Sequence, residues 1–196
     1  IAAAGEAGDW LELHNAGPGT ADLGNWSITD DGNPRRFVFP AGTVLAAGGF
    51  LTVLCDTNTA TPGWHTGFAL SARGECVQLY NALTQRVDAV SFGPQIAGYT
   101  LGRLGTGWAL AVPTPGAANV AAALGSPAQV SINEWLANPP AGLPDWVELH
   151  NRGTQPVALQ GCFVLTSNGV QSIPLPTFIG PGGFVQLDRK STRLNS

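Results

Sequence analysis

Several residue types are scarce in this chain of 196 residues, and each scarcity narrows the kind of protein it can be. Charged residues make up only 11% of the chain, and Lys190 is the only lysine. Lysine and arginine together number 9 against 13 acidic residues, so the net charge of −4 disfavours a nucleic-acid partner. Methionine is absent, so we expect further residues before Ile1.

The chain also lacks long apolar runs and helical periodicity. It has no run of 18 apolar residues, so we expect no membrane insertion. No stretch of about 10–12 residues shows a helical period. The nearest candidate, the alanine-rich segment 119–124, is too short. Short β-rich runs between 26 glycines and 15 prolines predict an all-β sandwich.

Cysteine is scarce, and its spacing indicates no metal framework. The three cysteines, Cys55, Cys76 and Cys162, include no CxxC pair. Cys55 and Cys76 lie in different predicted strands, which leaves a cross-strand disulfide geometrically open. The alternative is that the thiols are small buried apolar groups.

One seven-residue segment is present twice and organises the rest of the chain. Residues 9–15 read Asp-Trp-Leu-Glu-Leu-His-Asn, and residues 145–151 read Asp-Trp-Val-Glu-Leu-His-Asn. The offset of 136 residues (145 − 9) is the size of a domain. The side chains alternate as they do in a β-strand with one apolar face: Leu11, Leu13 and Asn15 against Trp10, Glu12 and His14.

The flanking segments predict further strands bounded by glycine, proline and asparagine turns. In the first copy the predicted strands are residues 23–30, 35–40, 44–54, 75–80, 85–92 and 99–103. In the second copy they are residues 129–136, 162–166, 171–176 and 178–187, with Asn168-Gly169 as a hairpin turn. The second copy stops where the first continues, and the counterpart of strand 129–136 would precede Ile1.

These patterns divide the chain into four parts. Residues 1–112 form a first module without its opening strand, residues 113–128 a linker, and residues 129–187 a truncated second module. Residues 188–196 resemble the in-frame translation of a common sequencing adapter and are expected to lie outside the fold. Without them the net charge becomes 6 − 12 = −6.

The ordered motifs of the first module resemble a known family. They read Asp-Trp-Leu-Glu-Leu-His-Asn, Leu-Gly-Asn-Trp, Asp-Asp-Gly, Phe-Pro, Ala-Gly-Gly-Phe, His-Thr-Gly-Phe-Ala-Leu, Gly-Glu-Cys-Val-Gln-Leu-Tyr, Val-Asp-Ala-Val-Ser-Phe-Gly and Pro-Thr-Pro-Gly-Ala-Ala-Asn. This set resembles the lamin tail domain family in its bacterial form, over residues 7–119 and again, truncated, over residues 130–187. The resemblance implies immunoglobulin-like β-sandwiches in tandem, without catalytic residues, in secreted or cell-surface proteins.

Three polar motifs could carry chemistry, and each has a structural alternative. Glu12 and His14 share a strand face, but a metal site needs three or four ligands, so a half-exposed polar face with satisfied hydrogen bonds is the alternative. Residues 30–33, Asp-Asp-Gly-Asn, offer oxygen ligands for Ca²⁺ without the spacing of an EF-hand, so a turn is the alternative. Arg35 and Arg36 point to opposite strand faces, so at most one could contact a phosphate, and a cross-strand ion pair is the alternative.

The remaining candidates lie in predicted loops. A catalytic His65 would need a nucleophile and an orienting acid; Ser71 and Asp56 are near in sequence, but no Gly-x-Ser-x-Gly motif is present. Trp64 and Trp108 could stack on a sugar or a peptide, or could instead cover the ends of the sandwich. Trp64, His65 and Trp108 are therefore the weak binding candidates, with no catalytic residue, no metal and no cofactor predicted.

The sequence favours a non-catalytic binding or spacer module of a secreted or cell-surface bacterial protein. Its partner would be a protein or a cell-surface polymer. The first alternative is an accessory domain of an exported nuclease, phosphatase or protease whose catalytic part lies outside residues 1–196. The second is a DNA-binding module, which the negative charge disfavours.

Overall fold

The computed structural model describes residues 8–58, 60–166, 169–173 and 175–188. These residues pack as two compact units: one holds residues up to 91 together with Thr114–Ala118, and the other holds Phe92–Pro113 and the residues from 119 onward. Residues 92–112, which the sequence assigns to the first module, thus pack in the second unit. The division into repeat modules stays a prediction.

The predicted all-β class is confirmed. The only helical segment among the described residues is the 3₁₀ helix Pro127–Gln129, which holds a single turn. Every strand pair whose register the structure defines is antiparallel. No helix of the described residues is long and apolar enough to cross a membrane.

The first unit contains β1 to β8, apart from Phe92 at the end of β8. The strands are β1 Trp10–His14, β2 Ala21–Asp22, β3 Ser27–Thr29, β4 Phe37–Val38, β5 Val44–Leu45, β6 Phe50–Leu54, β7 Glu75–Tyr80 and β8 Arg86–Phe92. The predicted strands 75–80 and 85–92 match β7 and β8 closely. The predicted strand 44–54 is two strands, because a turn with φ of 68° at Gly48 interrupts it.

Two sheets enclose the core of the first unit. One sheet pairs β1 with β6, and the other has the order β4-β3-β7-β8. Ile28 of β3, Val53 of β6, Phe39 and Phe68 are buried at the centre. Leu11 and Leu13 pack against that cluster from β1, as the alternation of the repeated segment predicts. Burial of these apolar side chains is what holds the two sheets together.

The second unit contains β9 to β18. The strands are β9 Thr100–Leu104, β10 Gly107–Val112, β11 Val120–Ala121, β12 Val130–Leu136, β13 Trp146–Asn151, β14 Val157–Ala158, β15 Phe163–Thr166, β16 Gly169–Ser172, β17 Phe178–Ile179 and β18 Phe184–Asp188. The sheet β12-β13-β18 contributes Leu149, Val185 and Leu187 to a core that also buries Val157 and Ile179.

Three expectations for this unit need correction. Residues 113–128 are not a patternless linker, since Val120–Ala121 forms β11 and pairs with β10. Strand 107–112 escaped prediction, although it completes a sheet of order β11-β10-β9. Asp188, assigned to the tail, pairs with Trp146 in β18. The predicted turn residue Asn168 and residues 189–196 lie outside the described residues.

The two copies of the repeated segment end in the same hydrogen-bonded corner. The side-chain amide of Asn15 donates to the carbonyl oxygens of Gly19, Leu45 and Ala46, and its Oδ1 accepts from Gly17 N–H. The side-chain amide of Asn151 donates to the carbonyls at the matching positions: Gln155, Ile179 and Gly180. The sequence repeat is therefore also a repeat of tertiary hydrogen bonds.

Candidate binding surfaces

The polar face of the repeated strand is engaged in contacts across the sheet. His14 stacks on Phe50, its partner in β6, with ring centroids 4.5 Å apart, and His150 stacks on Phe184 of β18 at 4.3 Å. Glu12 accepts hydrogen bonds from Thr52 Oγ1 at 3.1 Å and Gly116 N–H at 2.6 Å. Glu12 thus has the expected hydrogen bonds, and the two histidines are engaged by aromatic stacking.

The Asp-Asp-Gly-Asn segment forms a turn locked by a single arginine. Asp31 Oδ1 accepts from the backbone N–H of Asn33 at 2.7 Å and from Thr29 Oγ1 at 2.9 Å, and these bonds hold the pKa of Asp31 below its usual range. The Arg36 guanidinium bridges Asp30 and Asp31 and lies 4.7 Å from the centre of the Phe68 ring. The turn given as an alternative is present, but the ion pair is not the cross-strand pair predicted: Asp30 and Asp31 follow β3 and Arg36 precedes β4, so the pair lies within the turn.

His65 lies in a chain of hydrogen bonds that the sequence only half predicted. Its Nδ1 is 2.7 Å from Asp56 Oδ1, and its Nε2 is 3.0 Å from Thr61 Oγ1. Asp56 was expected, whereas Ser71 is instead tied to its own turn, with its N–H donating to Glu75. Thr61 escaped notice because no motif marks a threonine four residues before a histidine.

This chain of bonds has the order acid, imidazole, hydroxyl, which is also the order of a hydrolytic triad. The His65 side chain is almost fully buried, while Thr61 is exposed on the loop. The same loop is pinned to the end of β6, where Leu54 N–H donates to Trp64 O and Thr66 N–H donates to Leu54 O. These bonds hold the loop against the end of β6.

The two candidate tryptophans occupy different settings. Trp64 is half-buried against the core of the first unit, with its ring edge-on to Phe39 at a centroid distance of 5.8 Å. Trp108 does not lie in a loop as predicted but in β10, opposite Arg103 of β9, whose guanidinium lies 4.6 Å from the indole ring. Trp64 is thus an apolar cover, and the structure does not bring it together with Trp108 in one unit.

The three cysteines are all free, so the Cys55–Cys76 disulfide left open by the sequence is not formed. Cys55 is buried beside β6, where desolvation raises the pKa of its thiol to about 12 from an ordinary value of 9.0. Cys76 and Cys162 are only partly buried. The alternative interpretation, a small buried apolar group, holds for Cys55.

We therefore expect only two of the three thiols to react in the native protein. Iodoacetamide at pH 8 should label Cys76 and Cys162, because alkylation needs an accessible thiolate and Cys55 offers neither access nor charge. Peptide mass spectrometry gives the label at each position, and a sample in denaturant, where all three react, is the control. Labelling of native Cys55 at the rate of the other two would contradict its burial.

Glu75 should make stability depend on pH in the opposite sense to Asp31. Desolvation raises the pKa of Glu75, so the fold favours its protonated form and is penalised above its ordinary pKa of 4.5. Glu75→Gln should therefore stabilise the protein modestly at pH 7, and the gain should vanish below pH 4.5. Asp31→Asn is the control and should destabilise at pH 7. Urea denaturation at both pH values measures the free energy of unfolding. A gain in stability that persists in acid would show that the charge of Glu75 is not its cause.

The architecture is that of an all-β protein whose antiparallel sheets pack as an immunoglobulin-like sandwich. The family model of the Lamin Tail Domain matches residues 1–94. Those 94 of 196 residues are therefore similar to a lamin tail domain, a family with an immunoglobulin-like, non-enzymatic fold. No curated protein and no solved structure matches the chain significantly.

Proposed function

We propose that this chain is a non-catalytic immunoglobulin-like binding module of a secreted or cell-surface bacterial protein. Its partner is a protein or a surface polymer. One observation carries the proposal. Among the described residues, most of the large apolar side chains that are exposed lie in the second unit. Three lie in the first unit, namely Val44, Leu83 and Val87, against ten in the second, among them Trp135, Phe163, Leu165 and Phe184. Exposed apolar surface of this kind is typical of interaction sites.

Two of these exposed apolar side chains lie on β12. Ile132 and Trp135 pair with Leu149 and Val147 of β13, so they lie on the face of the sheet that packs against the core. Both are nevertheless exposed, Trp135 at 67%. An indole exposed on a sheet edge supplies a large, rigid contact surface, which is the property of a binding anchor.

Cosedimentation with bacterial cell walls tests this proposal. The chain should pellet with the walls, and Trp135→Ser should reduce the retained fraction severalfold. Leu83→Ser is the matched control, since Leu83 is 78% exposed on a turn of the first unit and should be dispensable. Walls stripped with protease distinguish a protein partner from a polymer. Equal retention of both variants, or none by the native chain, would overturn the proposal.

An enzymatic alternative is favoured by the Asp56, His65 and Thr61 chain of hydrogen bonds. It is tested with an activated ester, p-nitrophenyl acetate. On the proposed function, the native chain and Thr61→Ala hydrolyse it equally slowly. Activity that Thr61→Ala abolishes and Thr61→Ser retains would make this chain a hydrolase. A shift of duplex DNA at near-physiological salt would instead favour nucleic-acid binding.

A further inference from the structure

A short segment that follows β8 is bound by hydrogen bonds to residues near the other end of the chain. Residues 93–96, Gly-Pro-Gln-Ile, lie beside the residues that lead into β17. The backbone N–H of Gly93 donates to Pro176 O at 3.0 Å, and the N–H of Phe178 donates to Pro94 O at 3.1 Å. The two bonds run in opposite directions between the same two stretches of backbone, as bonds between paired strands do.

The side chain of Gln95 strengthens this attachment. Its amide nitrogen donates to Pro176 O at 2.9 Å and, within the segment, to Gly93 O at 2.7 Å. The same nitrogen is 3.3 Å from Pro94 O. One side chain therefore both shapes the segment and ties it to the strand beside it.

The site selects glycine at its first position. Gly93 is buried, and a β-carbon there would lie 2.2 Å from Thr177 Oγ1. Thr177 is itself buried and β-branched, so it leaves no room for a larger residue. Ile96 lies beside Gly180, where an added β-carbon would meet Ile96 Cγ2 at 3.8 Å. The site thus recognises a glycine, a glutamine amide and an apolar residue at fixed spacing.

The first unit shows that the strand framework of this site forms without the segment. Thr43 and Thr177 are counterparts, since the carbonyl of each accepts from the leucine N–H that follows β2 or β14. The strands beside them pair in the same way, β2 with β5 and β14 with β17. Val44 is nevertheless 61% exposed, whereas Phe178 at the equivalent position is 4% exposed. The segment therefore acts as a ligand of the second unit and is not needed to build its framework.

The connection between the segment and its site is short. β9, β10 and β11 follow the segment and form one sheet, and Ala122 N–H still donates to β10. Gly125 N–H donates to Pro156 O, just before β14. Only Ala123 and Leu124 lie between these two anchored residues, and Leu124 is 47% exposed. Short connections of this kind are where two copies of a chain exchange identical elements.

We propose that the strand edge at Pro176–Phe178 is a recognition site for the Gly-Pro-Gln-Ile segment, and that a second copy of the chain supplies this segment in an exchanged dimer. The connection at Ala123–Leu124 opens, and residues 93–122 of each chain dock on the other chain. Every hydrogen bond of the site is kept, so the cost is that of bringing two chains together, and the dimer forms as the concentration rises. The exchange goes beyond the proposed binding function and does not depend on it.

A change in the length of the connection tests the exchange with the full chain. Deletion of Ala123 and Leu124 joins the two anchored residues directly, so the segment no longer reaches the site of its own chain. Sedimentation should then show twice the mass of one chain. Insertion of a flexible Gly-Ser linker after Leu124 is the matched control and should give a monomer at the same concentration. A deletion variant that is folded by circular dichroism and monomeric overturns the proposal.

Two point variants test the exchange without a change of length. Gly93→Ala gives a segment that the native site rejects, and Thr177→Ala gives a site that accepts it. In a heterodimer of the two variants, each segment meets a site that fits it. Native mass spectrometry of the mixture should show more heterodimer than statistical mixing gives, and the double variant should dimerise like the native chain. A statistical mixture, or monomers alone, overturns the proposal.

Self-association through exposed apolar side chains is the competing cause of a dimer. Trp135→Ser should leave the exchanged dimer intact, because Trp135 is not part of the site. A dimer that Trp135→Ser dissolves and the Gly-Ser insertion does not overturns the exchange. Retention on cell walls by a deletion variant that stays monomeric would show that the proposed function stands while the exchange is wrong.

Discussion

Replacement of Asn151 by alanine is expected to lower the free energy of unfolding of the second unit by about 3 kcal/mol. The Asn151 side chain is fully buried, and its amide donates at 2.8, 3.3 and 3.0 Å to the carbonyls of Gln155, Ile179 and Gly180. Its Oδ1 accepts from Gly153 N–H at 2.9 Å. Alanine leaves these backbone groups without a side-chain partner, in a place that water reaches poorly.

The first unit supplies a matched control for this substitution. Asn15 makes the corresponding amide bonds at 2.8, 2.9 and 3.1 Å but is only partly buried, so water can reach most of the groups that lose their partner in Asn15→Ala. We expect a loss of about 1 kcal/mol there. Urea denaturation followed by circular dichroism measures both. Equal losses, or a loss below about 1 kcal/mol for Asn151→Ala, would show that burial does not set the cost of breaking this corner.

The sequence predicted those features of the fold that arise from local pattern. Alternation placed Leu11 and Leu13 on the core face of β1, and the same logic gave β7 and β8 with nearly correct bounds. Strands 23–30 and 35–40 were predicted too long, because only Ser27–Thr29 and Phe37–Val38 find partners. Pattern shows which residues can form a strand, whereas the partner decides where the strand ends.

The features that the sequence missed depend on pairing between distant residues. β10 carries Gly-Trp-Ala-Leu-Ala-Val, which has no clear alternation, and it becomes a strand because β9 and β11 flank it. The contact of His65 with Thr61 depends on how the loop after β6 folds back. Both are decided by tertiary structure, so local propensity could not find them.

The repeat also shows which positions are free to change within one framework. The corner asparagine, the stacked histidine and the left-handed residue before β3 or β15 keep their roles in both units. The residues of the strand itself do not, since Ser27 and Thr29 give way to Phe163 and Leu165. The framework residues fix the backbone, so the side chains of the strand can diverge toward a different surface.

Gly93→Ala should destabilise the second unit by about 2 kcal/mol, through a steric conflict. A β-carbon at Gly93 would lie 2.2 Å from Thr177 Oγ1. Thr177 is buried and β-branched, so its side chain cannot turn away freely. The backbone cannot give way either, because Gly93 N–H donates to Pro176 O at 3.0 Å and Phe178 N–H donates to Pro94 O at 3.1 Å. Gly93 has no positive φ, so alanine adds no backbone strain.

A second substitution tests the cause. With Thr177→Ala in place, the nearest remaining atoms to the new β-carbon are the Thr177 β-carbon position at 3.4 Å and Pro176 O at 3.8 Å, which are ordinary contacts. Gly93→Ala should then cost little, and a double-mutant cycle should give a coupling of at least about 1 kcal/mol. Gly93→Ala should shift the same unfolding transition as Asn151→Ala, because Phe92–Pro113 packs in the same unit as residue 151. A loss of stability that Thr177→Ala does not relieve would contradict the steric cause. A loss confined to the unfolding transition that Asn15→Ala shifts would show that residues 92–113 belong to the first module.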